Sequence, residues 1–247
     1  GRTRPNGAMV TFWSAEGGEA EVTVTDESMD TVYSRVVSAK SGATRFSWDL
    51  RPGGNANPMQ FPPQMSVLPG TYSITVSLGN AAAASDLEVR GDPRNPQDIS
   101  GLVAKRDALI MMAELVQDVD SARETLGQFI TGIEMVLGTL QENEDALREE
   151  GEGLRGSLQA LNERLFTGPE CQGSCRGNVI ANAVSQPIGR IVAEDGAPSE
   201  NTRNMMDRAV EAAEVIRAEV GAISAGEVAT YRAALLASGY TPFGSEL

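Results

Sequence analysis

The sequence predicts an α+β protein whose strands and helices are segregated along the chain. Residues 8–89 alternate apolar and polar side chains with a period of two, which is typical of strands. From about residue 98 the apolar positions recur every three or four residues, which is typical of amphipathic helices. The connecting segment "VRGDPRNPQD" contains two prolines that restrict it. We therefore expect two domains, at residues 1–92 and 97–247.

Six short segments form the predicted strands of the first domain. Each is rich in Val, Thr, Tyr, Phe or Trp, and turn formers such as Asn-Gly, Ser-Gly and Pro-Gly separate them. About six or seven strands in ~90 residues, with no helical pattern between them, predict an Ig-like or fibronectin-like β-sandwich. The segments are AMVTFW, AEVTVTD, TVYSRVV, TRFSWDL, GTYSITVSL and SDLEVR.

The fourth segment ends in "TRFSWDLRPGG", where a Trp, an acid and an Arg run directly into a loop of Gly and Pro. Strand alternation places Phe46 and Trp48 on one face, which we expect to pack in the core. We expect Asp49 and Arg51 to hold the following loop, either by a salt bridge or by hydrogen bonds to backbone. This interpretation makes the segment a structural corner and not an active site.

Three seams of apolar residues predict long helices in the second domain. The first seam steps alternately by four and three residues from Ala108 to Leu140, after a candidate cap at Asp98 or Ser100. Shorter helices are expected near residues 177–192 and at residues 228–236. Long helices with short connections predict an antiparallel bundle or hairpin. The other seams are Leu147, Leu154, Leu158, Leu161 and Leu165, and Met206, Ala209, Ala213, Ile216 and Val220.

The first helix is apolar on nearly all sides around one position. Leu109, Ile110 and Met111 flank the seam residue Met112. A helix with this pattern is usually covered on more than one side. We expect these three flanking residues to be interaction residues that pack on the strand domain, or alternatively on another chain.

Composition excludes several classes of chemistry. The chain has no His, which rules out Ser-His-Asp and Cys-His catalysis and His-ligated zinc within it. The net charge is −14 and Lys and Arg form no cluster, so we expect no nucleic-acid partner. No apolar run approaches the roughly 20 residues that span a bilayer. We expect no catalytic residue, no metal site and no cofactor.

The two cysteines lie close together in "CQGSCRG". A structural zinc site needs four ligands, and two Cys without His cannot supply them. We expect a disulfide between Cys171 and Cys175 in an oxidising compartment, with two free thiols as the alternative.

Two short motifs are given a structural interpretation. "GEGLRG", at residues 151–156, has the letters of a dinucleotide fingerprint but follows an acidic helical stretch instead of a strand. We interpret it as a turn or as a loosened start of the second helix. "RGD", at residues 90–92, is a three-residue match without an exposed-loop context, and we interpret it as part of the connector.

Five segments, in this order, carry a resemblance to a known family: RPNGAMVTFW, VTVTDESMDTVYSRV, SGATRFSWDLRPGG, LPGTYSITVSLG and LEVRGDPR. They resemble the C-terminal region of secreted bacterial sortilin-like proteins with Asp-box (BNR) β-propellers, often labelled glycosyl hydrolases. The strand domain is similar to the Ig-like domain of flagellar hook-cap proteins, and "TYRAALLASGYTPF" resembles the closing segment of the family. The sequence departs from the family at Thr44, where the family has Asn, and in its pair of cysteines. The most specific matches are Trp48, Asp49 and Arg51 with Asp92, Pro93 and Arg94, which the resemblance implies to be structural.

The resemblance implies a non-catalytic accessory or interaction module. No Asp-box repeat is present, so any hydrolase activity would reside in a propeller region outside this sequence. Expected partners are such a propeller, in the same or an associated polypeptide, or another protein chain. The expected location is secreted, periplasmic or on a bacterial cell surface, and we expect the chain to be processed or part of a longer one. The alternatives are a stand-alone assembly subunit that pairs through its helices and, least favoured, a glycoside-hydrolase-type enzyme.

Overall fold

A computed structural model describes residues 7–53, 65–91, 93, 98–141, 144–168 and 179–240. Within these residues six strands come first and five α-helices follow. The protein is therefore a mixed α+β protein with N-terminal strands and C-terminal helices. The segregation that the change of period predicted is confirmed at this level.

The strands form two antiparallel sheets. In the first sheet β1 pairs with β4, and Thr11 lies opposite Arg45. The second sheet has the order β3-β2-β5-β6. The bounds are β1 Ala8–Ser14, β2 Gly18–Thr25, β3 Thr31–Ala39, β4 Gly42–Trp48, β5 Gly70–Leu78 and β6 Ala81–Val89.

One apolar core contains side chains from both sheets. The alternation along β2 is typical, because Ala20, Val22 and Val24 are fully buried while the residues between them are not. The first sheet contributes Trp48 to this core and the second contributes Tyr72. Strand alternation thus gives β2 one buried side, whereas β6 is exposed from Ala81 to Asp86.

The helices bury the three predicted seams. In all three seams, each residue is either buried or partly buried and packed against an apolar core. Two π-helical turns, Glu163–Thr167 and Ser224–Val228, adjoin the helices. The bounds are α1 Ile99–Thr139, α2 Asp145–Asn162, α3 Ile180–Ala193, α4 Glu200–Ile223 and α5 Ala229–Ala237.

The chain divides into two compact units. The first consists of Gly1–Ala113 with Arg190–Ser199, and the second of Glu114–Gly189 with Glu200–Leu247. The first unit therefore contains the strands, the start of α1 and the end of α3. The expected boundary at residues 92–97 lies almost entirely outside the described residues, and the division into 1–92 and 97–247 stays a prediction.

The "GEGLRG" stretch lies in the interior of α2, which begins at Asp145, so its interpretation as a turn or as the start of the helix is wrong. Gly151 is buried, and a methyl group built on it would overlap the hydroxyl of Tyr231 on α5 and lie 3.0 Å from Leu137 Cδ2. Tyr231 is itself 3% exposed. Close packing between α2 and α5 thus explains a glycine in the middle of a helix.

Candidate functional site

The corner after β4 is built around the indole of Trp48. Trp48 is 1% exposed, and its ring centroid lies 5.7 Å from that of Tyr33 and 6.0 Å from that of Tyr72. Its Nε1 donates a hydrogen bond of 2.8 Å to the carbonyl oxygen of Arg51. The apolar part of the indole therefore fills the core, while its N–H fixes the chain that leaves β4.

Asp49 and Arg51 meet in a tight turn directly after Trp48. The Oδ1 atom of Asp49 accepts a hydrogen bond of 3.2 Å from the backbone N–H of Arg51. Leu50, between them, has φ 61°, in the left-handed region that residues other than glycine rarely adopt. Of the two alternatives that the sequence leaves open, Asp49 makes the hydrogen bond to backbone. Asp49 and Arg51 are both exposed, so the buried group that holds this turn is the indole of Trp48.

Tyr72 forms a second corner at the start of β5. Its hydroxyl donates a hydrogen bond of 2.7 Å to the carbonyl oxygen of Leu68, four residues earlier, which is the geometry of a tyrosine corner. Burial, followed by the carboxylates of Asp26 and Glu27, raises the pKa of Tyr72 to about 12, while the guanidinium of Arg106 acts in the opposite direction. Sequence reasoning missed this role, although "LPGTY" contained the signal: a tyrosine just after a Pro-Gly turn.

A cleft of roughly 180 Å³ lies beside this corner and includes Asp26, Glu27 and Arg106 in its lining. The Oδ1 atom of Asp26 accepts backbone N–H groups of Ser28 and Asp30, at 2.9 and 3.0 Å. The Oε1 atom of Glu27 accepts the N–H at the second residue of β5, at 3.2 Å. Both carboxylates thus hold the backbone of the loops that form the cleft, which is a structural use.

The start of α1 is hydrogen-bonded to the end of α3. The Nζ atom of Lys105 donates to the carbonyl oxygens of Val192, at 2.9 Å, and Glu194. The last carbonyls of a helix lack partners within the helix and carry its negative end, so an ammonium group there satisfies and stabilises them. The carboxylate of Glu194 in turn accepts the hydroxyl of Ser199 at 2.7 Å and its N–H at 3.0 Å. Residues 190–199 are thereby fastened within the first unit.

The expected interaction residues of α1 differ in exposure. Leu109 is 2% exposed, Ile110 is partly buried and Met111 is 36% exposed. All three lie in the first unit, with the strands. Met111 is therefore the member of this group that is most open to solvent, and the interaction role of the three stays a prediction.

The remaining expected site residues lie mostly outside the described part of the chain. Cys171, Cys175, Asp92 and Arg94 are among them, so their roles stay predictions, while Pro93 is described and exposed. In the "RGD" motif Arg90 forms an ion pair of 2.6 Å with Glu88, and the two side chains are 78% and 60% exposed. An exposed pair of this kind contributes little to stability.

The outward side of the β1–β4 sheet carries two large apolar side chains in the open. Met9 is 57% exposed and Trp13 is 72% exposed. Thr11, between them, accepts a hydrogen bond of 2.9 Å from Nε of Arg45 on β4. We call Met9, Thr11, Trp13 and Arg45 the outer face. The alternation of "AMVTFW" contained the signal, because Phe12 and Trp13 must point to opposite sides of one strand.

A groove of roughly 770 Å³ lies at the end of β1 and is lined by residues of both sheets and of the turns that follow β1 and β5. We call it the β1–β6 groove. Phe12 and Trp13 lie along one wall, Val76 and Leu78 come from β5, and Glu16 is the only charged lining residue in the described part of the chain. The residues of β6 that line it are Ala81, Ala82 and Ala83.

Comparisons with known proteins identify no relative of this chain. No family model, no curated protein and no solved structure matches the chain. Among the described residues, no three or more Asp, Glu, His or Cys side chains are grouped so that they could hold a metal ion. In the same residues, no helix is long and apolar enough to cross a membrane.

Proposed function

We propose that this chain is a non-catalytic accessory module that binds another protein surface through the outer face of its β1–β4 sheet. One observation carries the proposal: Trp13 and Met9 are 72% and 57% exposed on one side of a regular strand. Trp, Met and Arg are enriched at protein interfaces, and an exposed apolar patch marks such a site. Arg45, bonded to Thr11 within the face, adds a guanidinium to it.

The use of the acidic groups supports a binding role. Asp26, Glu27 and Asp49 accept backbone N–H groups in the turns of the first unit. A carboxylate held in this way orders the loop that contains the bonded N–H. The geometry therefore favours a scaffold that presents a surface.

We also propose that the first unit is an Ig-like or fibronectin-like β-sandwich and that the helices form an antiparallel bundle or hairpin. Two antiparallel sheets that share one core, and a tyrosine corner at Tyr72, support the first assignment. The three buried seams support the second. Together with the sequence resemblance, these features support a C-terminal module of a secreted bacterial sortilin-like protein whose Asp-box propeller is the partner.

Hydroxyl-radical footprinting tests the proposal, since Met and Trp side chains react readily when they are exposed. The oxidation of Met9 and Trp13 is compared between the isolated 247-residue chain and the native polypeptide that contains it. We expect both to be strongly protected in the native polypeptide. Met29, 77% exposed in the turn after β2, is the internal reference and should react equally in both samples.

Equal oxidation of the outer face in the two samples would contradict the proposed surface. The intact mass of the native polypeptide tests the parent protein separately. A mass several times that of this 26.1 kDa chain supports a module of a larger protein. A native polypeptide of about this mass would refute the propeller as part of the same chain.

A second candidate function, an assembly subunit that pairs through its helices, rests on a different surface. Leu236 on α5 and Met135 on α1 are 54% and 51% exposed. Leu236 lines a shallow cavity of roughly 220 Å³ together with Phe129 and Val228. If this surface pairs, Leu236→Glu should abolish self-association in sedimentation, while Val215→Glu, at a 40% exposed position of α4, should not. A chain that is monomeric at all concentrations would exclude self-pairing.

A further inference from the structure

The inner face of β6 extends beyond the strands that cover the rest of its sheet. Ala83 lies opposite Val76, and Ala81 opposite Leu78, so these pairs share one face of the sheet. Val76 belongs to the buried core and is 9% exposed, whereas Ala81 and Ala83 are exposed. The apolar face of this sheet thus extends beyond the core to Ala81 and Ala83, and no described residue covers these two side chains.

The edge of β1 borders this uncovered strip. β1 pairs with β4 along all of Ala8–Ser14, and the described residues provide no partner for its other edge. In an antiparallel strand, alternate residues direct their backbone N–H and C=O groups to opposite edges, so part of the backbone of β1 faces away from β4. Phe12, Trp13 and Ser14, at the end of β1, line the β1–β6 groove, so at this end the free strand edge lies beside the apolar floor.

We propose that the β1–β6 groove binds one extended segment of another polypeptide, which adds a third strand to the β1–β4 sheet. The backbone edge requires an extended occupant, because only a strand can pair with all of its free groups. β1 has seven residues, of which Phe12, Trp13 and Ser14 line the groove, so the paired segment has at most about seven residues. This inference is independent of the parent protein, although Trp13 belongs both to the groove and to the outer face proposed above.

The lining specifies the side chains of the occupant. Alternate residues of an added strand face Ala81 and Ala83, whose methyl groups leave space for large apolar side chains. The other residues face outward, level with the side chains of Met9 and Trp13. Glu16 is the charged residue in the described lining, so outward residues that are basic complement the site.

A single strand fits this groove better than a second copy of the chain. A second copy that paired through its own β1 would place the segment AMVTFWS beside the groove. This segment contains no basic residue to complement Glu16. The occupant is therefore a lone segment with alternating apolar and basic residues.

Titration of the full chain with a peptide tests the proposal. The probe is a capped peptide of about seven residues in which Lys and Ile alternate, matched in length to β1. The control peptide has the same composition with its Ile residues contiguous. Trp13 reports binding by its emission, because it is 72% exposed at the groove, whereas Trp48 is buried in the core and is the only other tryptophan. We expect a saturable blue shift with the alternating peptide alone.

Two matched variants locate the site. Ala83→Arg places a charge on the groove floor, while Ala84→Arg places the same charge on the opposite side of β6. We expect Ala83→Arg to weaken binding about tenfold or more, because an unpaired charge would lie beneath the apolar residues of the strand, and Ala84→Arg to leave binding unchanged. Equal thermal unfolding of the two variants shows that both fold.

Three results would overturn the proposal. They are equal binding of the two peptides, equal weakening by the two substitutions, and no emission shift at millimolar peptide. The first would show charge attraction without strand addition, and the second would place the peptide elsewhere on this acidic chain.

Discussion

Trp48 offers the sharpest test of how the first unit is held together, because the same residue type occurs exposed on the neighbouring strand. Trp48→Ala removes a side chain that is 1% exposed, whereas Trp13→Ala removes one that is 72% exposed. The two substitutions delete the same atoms from paired strands of one sheet. Any difference between them therefore measures burial and the contacts that come with it.

The structure gives the size of the effect. Loss of a buried Trp side chain costs about 3–5 kcal/mol, because transfer free energy is lost and a cavity remains. The contacts with Tyr33 and Tyr72 belong to that sum, since aromatic pairs at 5.7 and 6.0 Å each add about 0.5–1.5 kcal/mol. Trp48→Phe keeps a ring but removes the donor to the Arg51 carbonyl, for about 1 kcal/mol. Trp13→Ala should stay within about 0.5 kcal/mol.

Urea unfolding followed by hydrogen-exchange mass spectrometry measures these free energies. Peptides from β2 and β5 report on the first unit, while peptides from α2 and α4 report on the second. We expect the order Trp48→Ala, Trp48→Phe, Trp13→Ala, from largest to smallest loss, in the strand peptides. If Trp48→Ala destabilised them no more than Trp13→Ala does, the packing described for the corner would be wrong.

Three further predictions concern other parts of the chain. The pKa of Tyr72 is raised from 10.0 to about 12, so the folded state favours the neutral phenol. The free energy of unfolding that this preference contributes is complete below pH 10 and is lost as the pH rises toward 12. Urea midpoints should fall over that range, and Tyr72→Phe should remove this component of the fall. Gly151→Ala should lower the thermal stability, because the added methyl group would overlap the buried hydroxyl of Tyr231. Gly153 has open space around it, so Gly153→Ala should stabilise the protein by up to about 1 kcal/mol. Equal effects of the two substitutions would contradict the packing between α2 and α5. In mass spectrometry without reductant, the mass of the segment that contains Cys171 and Cys175 should be lower by two hydrogens than expected for two thiols. Two thiols that can be alkylated would refute the disulfide.

Local patterns in the sequence are enough to place the elements and their buried sides. The period of two in β2 and the seam from Ala108 to Leu140 depend only on neighbours along the chain, and burial in the structure follows them. The same alternation places Trp48 in the core. The hydrogen bond from Trp48 to the carbonyl of Arg51 spans only three residues, but the sequence interpretation assigned the loop to Asp49 and Arg51 and did not predict it.

Features that depend on which elements meet could not be predicted in this way. The glycine at position 151 is explained by Tyr231, eighty residues later, and Lys105 bonds to the end of α3, 87 residues later. The β1–β6 groove depends on the order in which strands pair, and alternation gives each strand two faces without saying which strands lie beside it. For Trp13, alternation predicts only that its side chain lies on the opposite face of the strand from Phe12. The strand pairing in the folded protein is what shows that this face is exposed to solvent.

The fastening of residues 190–199 to the first unit has a consequence for synthesis on the ribosome. The chain leaves this unit after Ala113 and returns to it at Arg190. When the last residue of β6 has been translated, the carbonyl partners of Lys105 are still about a hundred residues from being made, which takes about 5–20 seconds at usual elongation rates. The core of the two sheets contains only residues between Ala8 and Val89, whereas Lys105 stays without these carbonyl partners until residues 192–194 have been made. The strands can therefore pack first, and the first unit as a whole cannot be completed in the order in which it is translated.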